Sequence, residues 1–240
     1  MRRRAAAPGP RCGRCFVSRK IVRLTLDHLD TFDTPCRSCL FWELDPVRRE
    51  RVEEPAAAKD AWVSEVLREW GSCGRVALVD DVPVGYLIYA PEAFLPGAAG
   101  FPTAPISPDA VLLTMAYVAP ALRGGGLGRM LVQGMARDLV QRGGVGAVEA
   151  FGDTAGRSGR CLLPVDFLGS VGFKTHRAHV TTPRMRMDLR MALSWKDEVE
   201  AALERLVGVM RPAPKPARPP APKAASRAST SSPRGAAGSP

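Results

Sequence analysis

The sequence predicts a mixed α/β domain in which a central, mostly antiparallel sheet is flanked by helices. Three observations predict it. Strand-like and helix-like segments alternate from about residue 20 to residue 190. Two pairs of strand-like runs separated by short turns, 75–80 with 84–90 and 173–180 with 184–189, read as hairpins. An apolar run at 111–118 enters a glycine-rich turn that opens an amphipathic helix.

Residues 20–26 alternate apolar and polar side chains and predict the first strand. Residues 27–44 read as short helix and loop. In 56–70, Trp62, Val66 and Trp70 recur four apart beside Val63 and Leu67, which makes one helical face. Gly71 and Gly74 end that helix. The first hairpin follows, and residues 91–109, with five prolines, predict a long loop. The 111–118 strand leads to a helix over 126–141 with Leu127, Leu131 and Met135 on one side, stopped by Gly143 and Gly144. A strand over 145–151, a short helix over 161–171 closed by Gly172, and the second hairpin complete the domain. A terminal helix over 195–210 turns Val199, Leu203, Leu206 and Val207 inward.

A chain of 240 residues that is 45% hydrophobic can bury one sizeable core, so one domain with tails is expected. Composition divides it into a basic segment 1–19 expected to be disordered, a folded domain 20–190, a C-terminal helix 191–210 and a disordered Pro/Ala/Ser/basic tail 211–240. The formal net charge is +10, but thirteen of the 34 basic residues lie in 1–20 and 211–240, where there is no acid. The other 21 face 24 acids, so the body is slightly acidic. A fold that reads nucleic acid carries its basic patch on the fold, so specific nucleic-acid binding is not expected and only the ends attract polyanions. There is no apolar run long enough to span a bilayer and no apolar signal core at the N-terminus. The expectation is a cytoplasmic monomer or homodimer without membrane contact.

Gly124, Gly125, Gly126 and Gly128 stand where the apolar strand meets the helix. The first amides of a helix lack intrahelical partners, and the helix dipole adds partial positive charge there. A pyrophosphate can sit on those backbone donors where no side chain blocks it. The Walker-type loop ends in Gly-Lys-Ser/Thr, whereas Gly128 is followed by Arg129 and Met130. The dinucleotide fingerprint, started at Gly124 or Gly126, puts Arg129 or Leu131 at its last glycine. Arg123-x-x-Gly126-x-Gly128, after a strand ending Tyr117, Val118 and one residue before Pro120, resembles instead the acyl-coenzyme A loop, Gln/Arg-x-x-Gly-x-Gly/Ala, of the GNAT N-acetyltransferase superfamily. The order of elements across 20–190 and the Gly172-Phe173 pair closing a short apolar helix are similar to the same family.

The resemblance implies acetyl-CoA as co-substrate, a small-molecule or peptide amine as acceptor, no metal, and direct attack in a ternary complex. It implies that the main chain of Ala116, Tyr117 and Val118 holds the pantetheine arm and polarises the thioester. It also implies that the amides of Gly124, Gly125, Gly126, Leu127, Gly128 and Arg129 hold the pyrophosphate while Arg123 shapes the loop. Acetyl transfer to an amine further needs the amine neutral and its proton removed. Where the family often has a tyrosine to protonate the thiolate, this chain has Leu168, and it contains no asparagine. A thiol acidic enough to leave unaided reduces the need to a base and positioning.

Two side chains are candidates for catalysis. Glu149 is either a base facing the cleft through water or an outward carboxylate in solvent. Tyr117 points either into the cleft or into the core. His176 and His179, three apart in the predicted last strands, face opposite sides and are surface residues or line the acceptor. Cys12, Cys15, Cys36 and Cys39 have the spacing of a four-cysteine zinc ribbon or are metal-free thiols. Phe41 and Trp42 wall a pocket and Glu43 attracts an amine, or Trp42 is core. The alternative function is a coenzyme-binding interaction module without turnover.

Overall fold

The computed structural model describes residues 18–156 and 161–190, all within one compact unit. The basic segment before Ser18, with Cys12 and Cys15, lies outside the described residues. So do the helix predicted over 195–210 and the tail 211–240.

Each element predicted within the described residues is present, with boundaries shifted by local chemistry. Strand β1 (Arg19–Arg23) is shorter than predicted because Thr25 accepts from the His28 N–H and caps α1 (Leu26–Asp30). After a 3-10 turn at Pro35–Arg37 comes α2 (Pro46–Arg49), capped by the Asp45 carboxylate. Helix α3 (Pro55–Glu69) starts on a proline, which the first helical position tolerates, and buries Lys59, Trp62, Val63 and Val66. Strands β2 (Gly74–Val79) and β3 (Val82–Ala90) are joined by Asp80 and Asp81, both at positive φ, so the turn is tighter than predicted. The proline-rich loop contains 3-10 turns at Glu92–Phe94 and Pro96–Gly100 that bury Leu95 and Ala98.

Strand β4 (Ala110–Val118), helix α4 (Leu127–Arg142) and strand β5 (Ala147–Asp153) follow. Pro164 shortens the predicted 161–171 helix: β6 (Leu163–Pro164) precedes α5 (Val165–Ser170). Strands β7 (Lys174–Arg177) and β8 (Arg184–Asp188) close the described chain. His179 therefore lies beyond β7 rather than in a strand.

Among the described residues the eight strands form one sheet in the order β1-β2-β3-β4-β5-β8-β7, with β6 beside β5. β4 with β5 and β5 with β6 pair in parallel; every other pair is antiparallel. A parallel link needs a crossover, and α4 supplies the one between β4 and β5. One face packs Leu87, Tyr89, Leu113, Val148 and Met185 against α4 and α5. The other packs Tyr86, Ile88, Leu112 and Phe151 against α1, α3 and the proline-rich loop.

Two buried carboxylates pin these layers. Asp138 on α4 accepts from the Tyr89 hydroxyl at 2.7 Å and pairs with Arg75. Burial opposes its charge, but Tyr89, Arg75 and Arg142 together hold the carboxyl below its ordinary range. Glu149 on β5 is the second anchor, on the opposite face.

Candidate functional site

β4 and β5 pair only at Ala110–Ala147, Val111–Val148 and Leu112–Glu149. Beyond Leu112 no pairing between them is formed, and β5 turns to β6 at Gly152 and Asp153. On its other edge β4 carries a bulge. Met115 faces Ile88 and Leu113 faces Tyr89, so Thr114 is the extra residue. The bulge reverses the side-chain alternation. Leu113, Ala116 and Val118 face α4, while Met115 and Tyr117 join the opposite core.

The wedge so opened holds a cavity of about 400 Å³. Ala116, Val118, Leu163, Pro164 and Phe167 form its apolar wall, and Arg123, Gly124, Gly126, Leu127 and Gly128 its mouth. Gly124 and Gly126 have φ of +78° and +82°, and a Cβ on either would meet no protein atom within 4 Å. They permit a left-handed backbone and leave space in front of it. The first intrahelical bond of α4 runs from the Met130 N–H to Gly126 O, so the amides of Leu127 and Gly128 have no intrahelical acceptor.

The remaining loop positions divide by geometry. Arg123 Nε donates to Val118 O at 3.0 Å and ties the loop to the end of β4. Gly125 does not line the cavity, and its carbonyl accepts from Arg19 Nη1 at 2.8 Å. Arg129 reaches away to donate to Ser170 O at 2.6 Å. At Gly128 a Cβ would come within 2.9 Å of Phe167 Cε2. That glycine therefore also serves the close packing of α4 on Phe167 of α5, a role beyond the clearance for ligand expected of all four glycines.

Glu149 fits neither alternative expected of it. It is completely buried, so it is not an outward carboxylate in water, and it lines none of the described cavities. Its oxygens accept from the Ser107 hydroxyl at 2.6 Å and the Ser107 N–H at 3.2 Å, and pair with Arg184 at 3.3 Å and Arg186 at 3.2 Å. A carboxylate engaged by two guanidinium groups is a structural anion rather than a base. Arg186 also forks onto Asp109 at 2.8 and 3.0 Å, which lowers the Asp109 pKa. Tyr117 lies in an aromatic group with Phe32 and Tyr86, ring centroids 5.9 and 5.8 Å away, and its side chain is on the far face from the glycine-lined cavity. Leu168 is fully buried in the α4-side core.

A second cavity of about 380 Å³ lies on the α2 side, among Phe41, Arg49, Phe101, His179, Thr181 and Thr182. Leu162 lines this cavity and Leu163 the first, so one short segment separates the two. His179 Nδ1 accepts from the Thr182 N–H at 3.1 Å, which leaves the ring proton on Nε2. His176 stands 4.0 Å from Glu149. Trp42 is buried and stacks on Phe101 and Phe151, which settles it as core, while Phe41 beside it is a cavity wall. Glu43 is buried against Lys59 and is not offered to an incoming amine, a correction to that expectation. Cys36 and Cys39 are free thiols in the structure, and their neighbour is one that neither alternative included. They gather with Cys161 in one small hollow behind Thr114 and Met115. Among the described residues no group of three or more His, Cys, Asp or Glu side chains is arranged to hold a metal ion. No helix among them is long and apolar enough to cross a membrane.

Sequence reasoning missed the Thr114 bulge, the Glu149 clamp, and the pairing of Cys161 with residues more than 120 positions away. A lone hydroxyl residue inside an apolar strand was a faint signal for the first. Nothing local marks the other two.

Solved structures with similar folds include the PaiA N-acetyltransferase of Thermoplasma acidophilum in complex with coenzyme A. It is 14% identical, the match covers 71% of this chain and 99% of that one, and the TM-score is 0.43. A GNAT family N-acetyltransferase of Escherichia coli in complex with CoA is 20% identical over 75% and 86%, with a TM-score of 0.43. An N-acetyltransferase of Staphylococcus aureus is 13% identical over 72% and 99%, with a TM-score of 0.46. No curated protein matches the sequence significantly. The model of the Acetyltransferase (GNAT) family matches residues 37–157, which is half of the chain and spans α3, the sheet from β2 to β5 and the glycine loop, and the chain belongs to that family.

Proposed function

We propose that the protein transfers an acetyl group from acetyl-CoA to a primary amine by direct attack in a ternary complex. The observation that carries this is the first cavity: a glycine mouth at the start of α4, with open space at Gly124 and Gly126, leading along the unpaired edge of β4. The residues present fit the coenzyme. Backbone amides at the mouth suit a pyrophosphate. Ala116 and Val118 line a narrow apolar passage, and strand-edge amides there can hold the pantetheine arm and polarise a thioester carbonyl.

The second cavity suits the acceptor. Its lining includes Arg49 and no carboxylate, with two threonine hydroxyls and aromatic walls from Phe41 and Phe101. That chemistry favours an amine with an apolar or aromatic body and an anionic or hydrogen-bond-accepting group over a polyamine or aminoglycoside. No carboxylate or tyrosine lines the first cavity. The reading therefore relies on solvent to carry off the amine proton and on the low basicity of the leaving thiolate. Positioning supplies most of the acceleration. The test is release of free coenzyme thiol across a panel of amines, with a melting curve at each coenzyme concentration. A ligand bound only by the folded state raises the melting temperature by mass action. Thiol release with one amine class supports the reading. A rise in melting temperature without release under any amine returns the alternative, a binding module without turnover.

A further inference from the structure

Cys39 and Cys161 approach each other from segments far apart in sequence, and their sulfurs lie 3.1 Å apart. Both backbones are fixed. Lys59 Nζ donates to Cys39 O at 3.1 Å, and Trp42 Nε1 donates to Cys161 O at 3.0 Å. Both cysteines are half-buried, and they line one small hollow together with Cys36. Nearby in the chain, Phe41 and Leu162 are walls of the second cavity. A disulfide requires sulfurs at about 2.05 Å, roughly 1 Å closer than found here, and that distance is within side-chain rotation.

We propose that Cys39 and Cys161 are a modification site: a hydroperoxide oxidises Cys39, and Cys161 resolves it to a reversible disulfide across the wall of the second cavity. In the first step the Cys39 sulfur attacks one peroxide oxygen. The O–O bond breaks, the sulfur keeps the attacked hydroxyl as a sulfenic acid, and the other oxygen leaves as hydroxide from hydrogen peroxide or as alkoxide from an organic hydroperoxide. In the second step the Cys161 sulfur attacks the Cys39 sulfur. The S–O bond breaks, the S–S bond forms, and the hydroxyl departs with the Cys161 proton as water. A dithiol reductant restores both thiols.

The surroundings assign the roles. The Cys161 thiol, hydrogen-bonded to Cys36 and Cys39 and half-buried, is held protonated. Hydrogen bonding to the Cys161 thiol lowers both Cys39, to about 6, and Cys36, against the opposing burial; Cys39 alone also accepts from the Phe41 N–H and is the better-stabilised thiolate. Cys73 is the internal contrast. It is fully buried and burial pushes its thiol up to about 12.

The experiment treats the full-length native protein with hydrogen peroxide, alkylates the remaining thiols, digests it and maps cysteine peptides by mass spectrometry. The expected result is a Cys39–Cys161 peptide pair, two hydrogens lighter than its parts, that separates on reduction. Cys161→Ser should abolish the pair and leave Cys39 as a sulfenic acid trapped by dimedone. Cys39→Ser should abolish both signals. A melting curve of each variant confirms that it folds, and Cys73→Ser should leave the pair intact. A link through Cys36, Cys12 or Cys15 in place of this pair overturns the proposal. So does direct passage of Cys39 to sulfinic acid in the parent, or stoichiometric zinc on the thiols. A further expectation, resting on the second cavity as acceptor site, is that oxidation raises the acceptor KM and leaves coenzyme affinity unchanged. The peptide map needs no activity, so its failure and the failure of the transferase reading are separate results.

Discussion

The two cavities are built by opposite means. The glycine-lined one has a mouth of backbone, two glycines at positive φ and the open end of a long helix, set beside a strand edge and an apolar wall. The cavity on the α2 side is made of side chains from the α1–α2 connection, the proline-rich loop and the β7–β8 turn. Each lies on a face of the sheet that carries a buried carboxylate held by arginine, Asp138 on the first and Glu149 on the second. A site made of contiguous backbone tolerates change wherever side chains point away from it. A site made of convergent side chains depends on every segment that brings one.

The largest expected effect tests the second anchor. Glu149→Ala leaves Arg184 buried with no ion-pair partner, and Arg184 already has Nη1 without an acceptor. Removing one partner of a buried pair costs about 3–5 kcal/mol. Denaturant unfolding should show a loss of that size. Glu149→Gln, which keeps the Ser107 contacts, should lose less stability and retain the parent's pH–rate profile. If the Glu149→Gln variant loses turnover a hundredfold while folded, the carboxylate is a base after all and the two regions share the chemistry.

The next effect probes the backbone-built cavity. Gly126→Glu puts bulk and negative charge where a Cβ now meets open space, and at a φ of +82° it also strains the turn. Losing two or more amide-to-phosphate hydrogen bonds, at about 1.5–3 kcal/mol each, predicts at least a roughly hundredfold loss of coenzyme affinity. Circular dichroism should show the fold kept. In contrast, Arg49→Gln should raise the KM of an anionic acceptor about tenfold, the worth of one charged hydrogen bond, and leave coenzyme affinity alone. Equal losses of both ligands in both variants would erase the distinction between the cavities.

These variants also mark what was legible in the sequence. The glycine loop was readable because its chemistry is local: four glycines within five positions after an apolar strand. Element order was readable for the same reason, since periodicity within 56–70 and 126–141 reports the buried face of each helix directly. Boundaries slipped where one side chain decided them, as with the Thr25 cap and Pro164. Glu149 and Glu43 were misread because a carboxylate's role is set by its partners. Arg184, Arg186 and Lys59 are brought to them by tertiary structure alone. The cysteines show the same limit. Cys36 and Cys39 suggested a partner pair upstream, whereas the described partner lies downstream at Cys161.

The α4 anchor carries a pH signature. The Asp138 carboxyl is held below its ordinary range by Tyr89, Arg75 and Arg142 against the burial that opposes its charge. A carboxylate with a depressed folded pKa contributes stability that is fully present above its unfolded value, about 4, and is lost as pH falls through the folded one. Unfolding free energy should therefore decline below about pH 4 in the parent. Asp138→Asn should be less stable at neutral pH and should flatten that decline. An unchanged slope in the variant would move the acid sensitivity to Asp109, whose carboxyl Arg186 also holds low, and away from the α4 anchor.

The smallest effect tests the division of labour inside the loop itself. At Gly128 a Cβ would press on Phe167 Cε2 at 2.9 Å, and the backbone there is helical, so alanine is conformationally welcome. Two terms compete. Alanine in place of glycine within a helix gains about 1 kcal/mol, and overpacking against a ring costs about 1–3 kcal/mol. Gly128→Ala should therefore be destabilised by at most about 2 kcal/mol. Replacing the ring by a shorter side chain removes the second term only. In a Phe167→Leu background the same Gly128→Ala change should become stabilising, a reversal of sign readable from paired denaturation curves. Coenzyme affinity should fall far less in Gly128→Ala than in Gly126→Glu, because the packing glycine faces α5 while the left-handed one faces the open mouth. If the sign does not reverse and Gly128→Ala instead abolishes coenzyme binding in both backgrounds, Gly128 is there for the ligand, and the loop is a single clearance rather than one glycine for binding and one for packing.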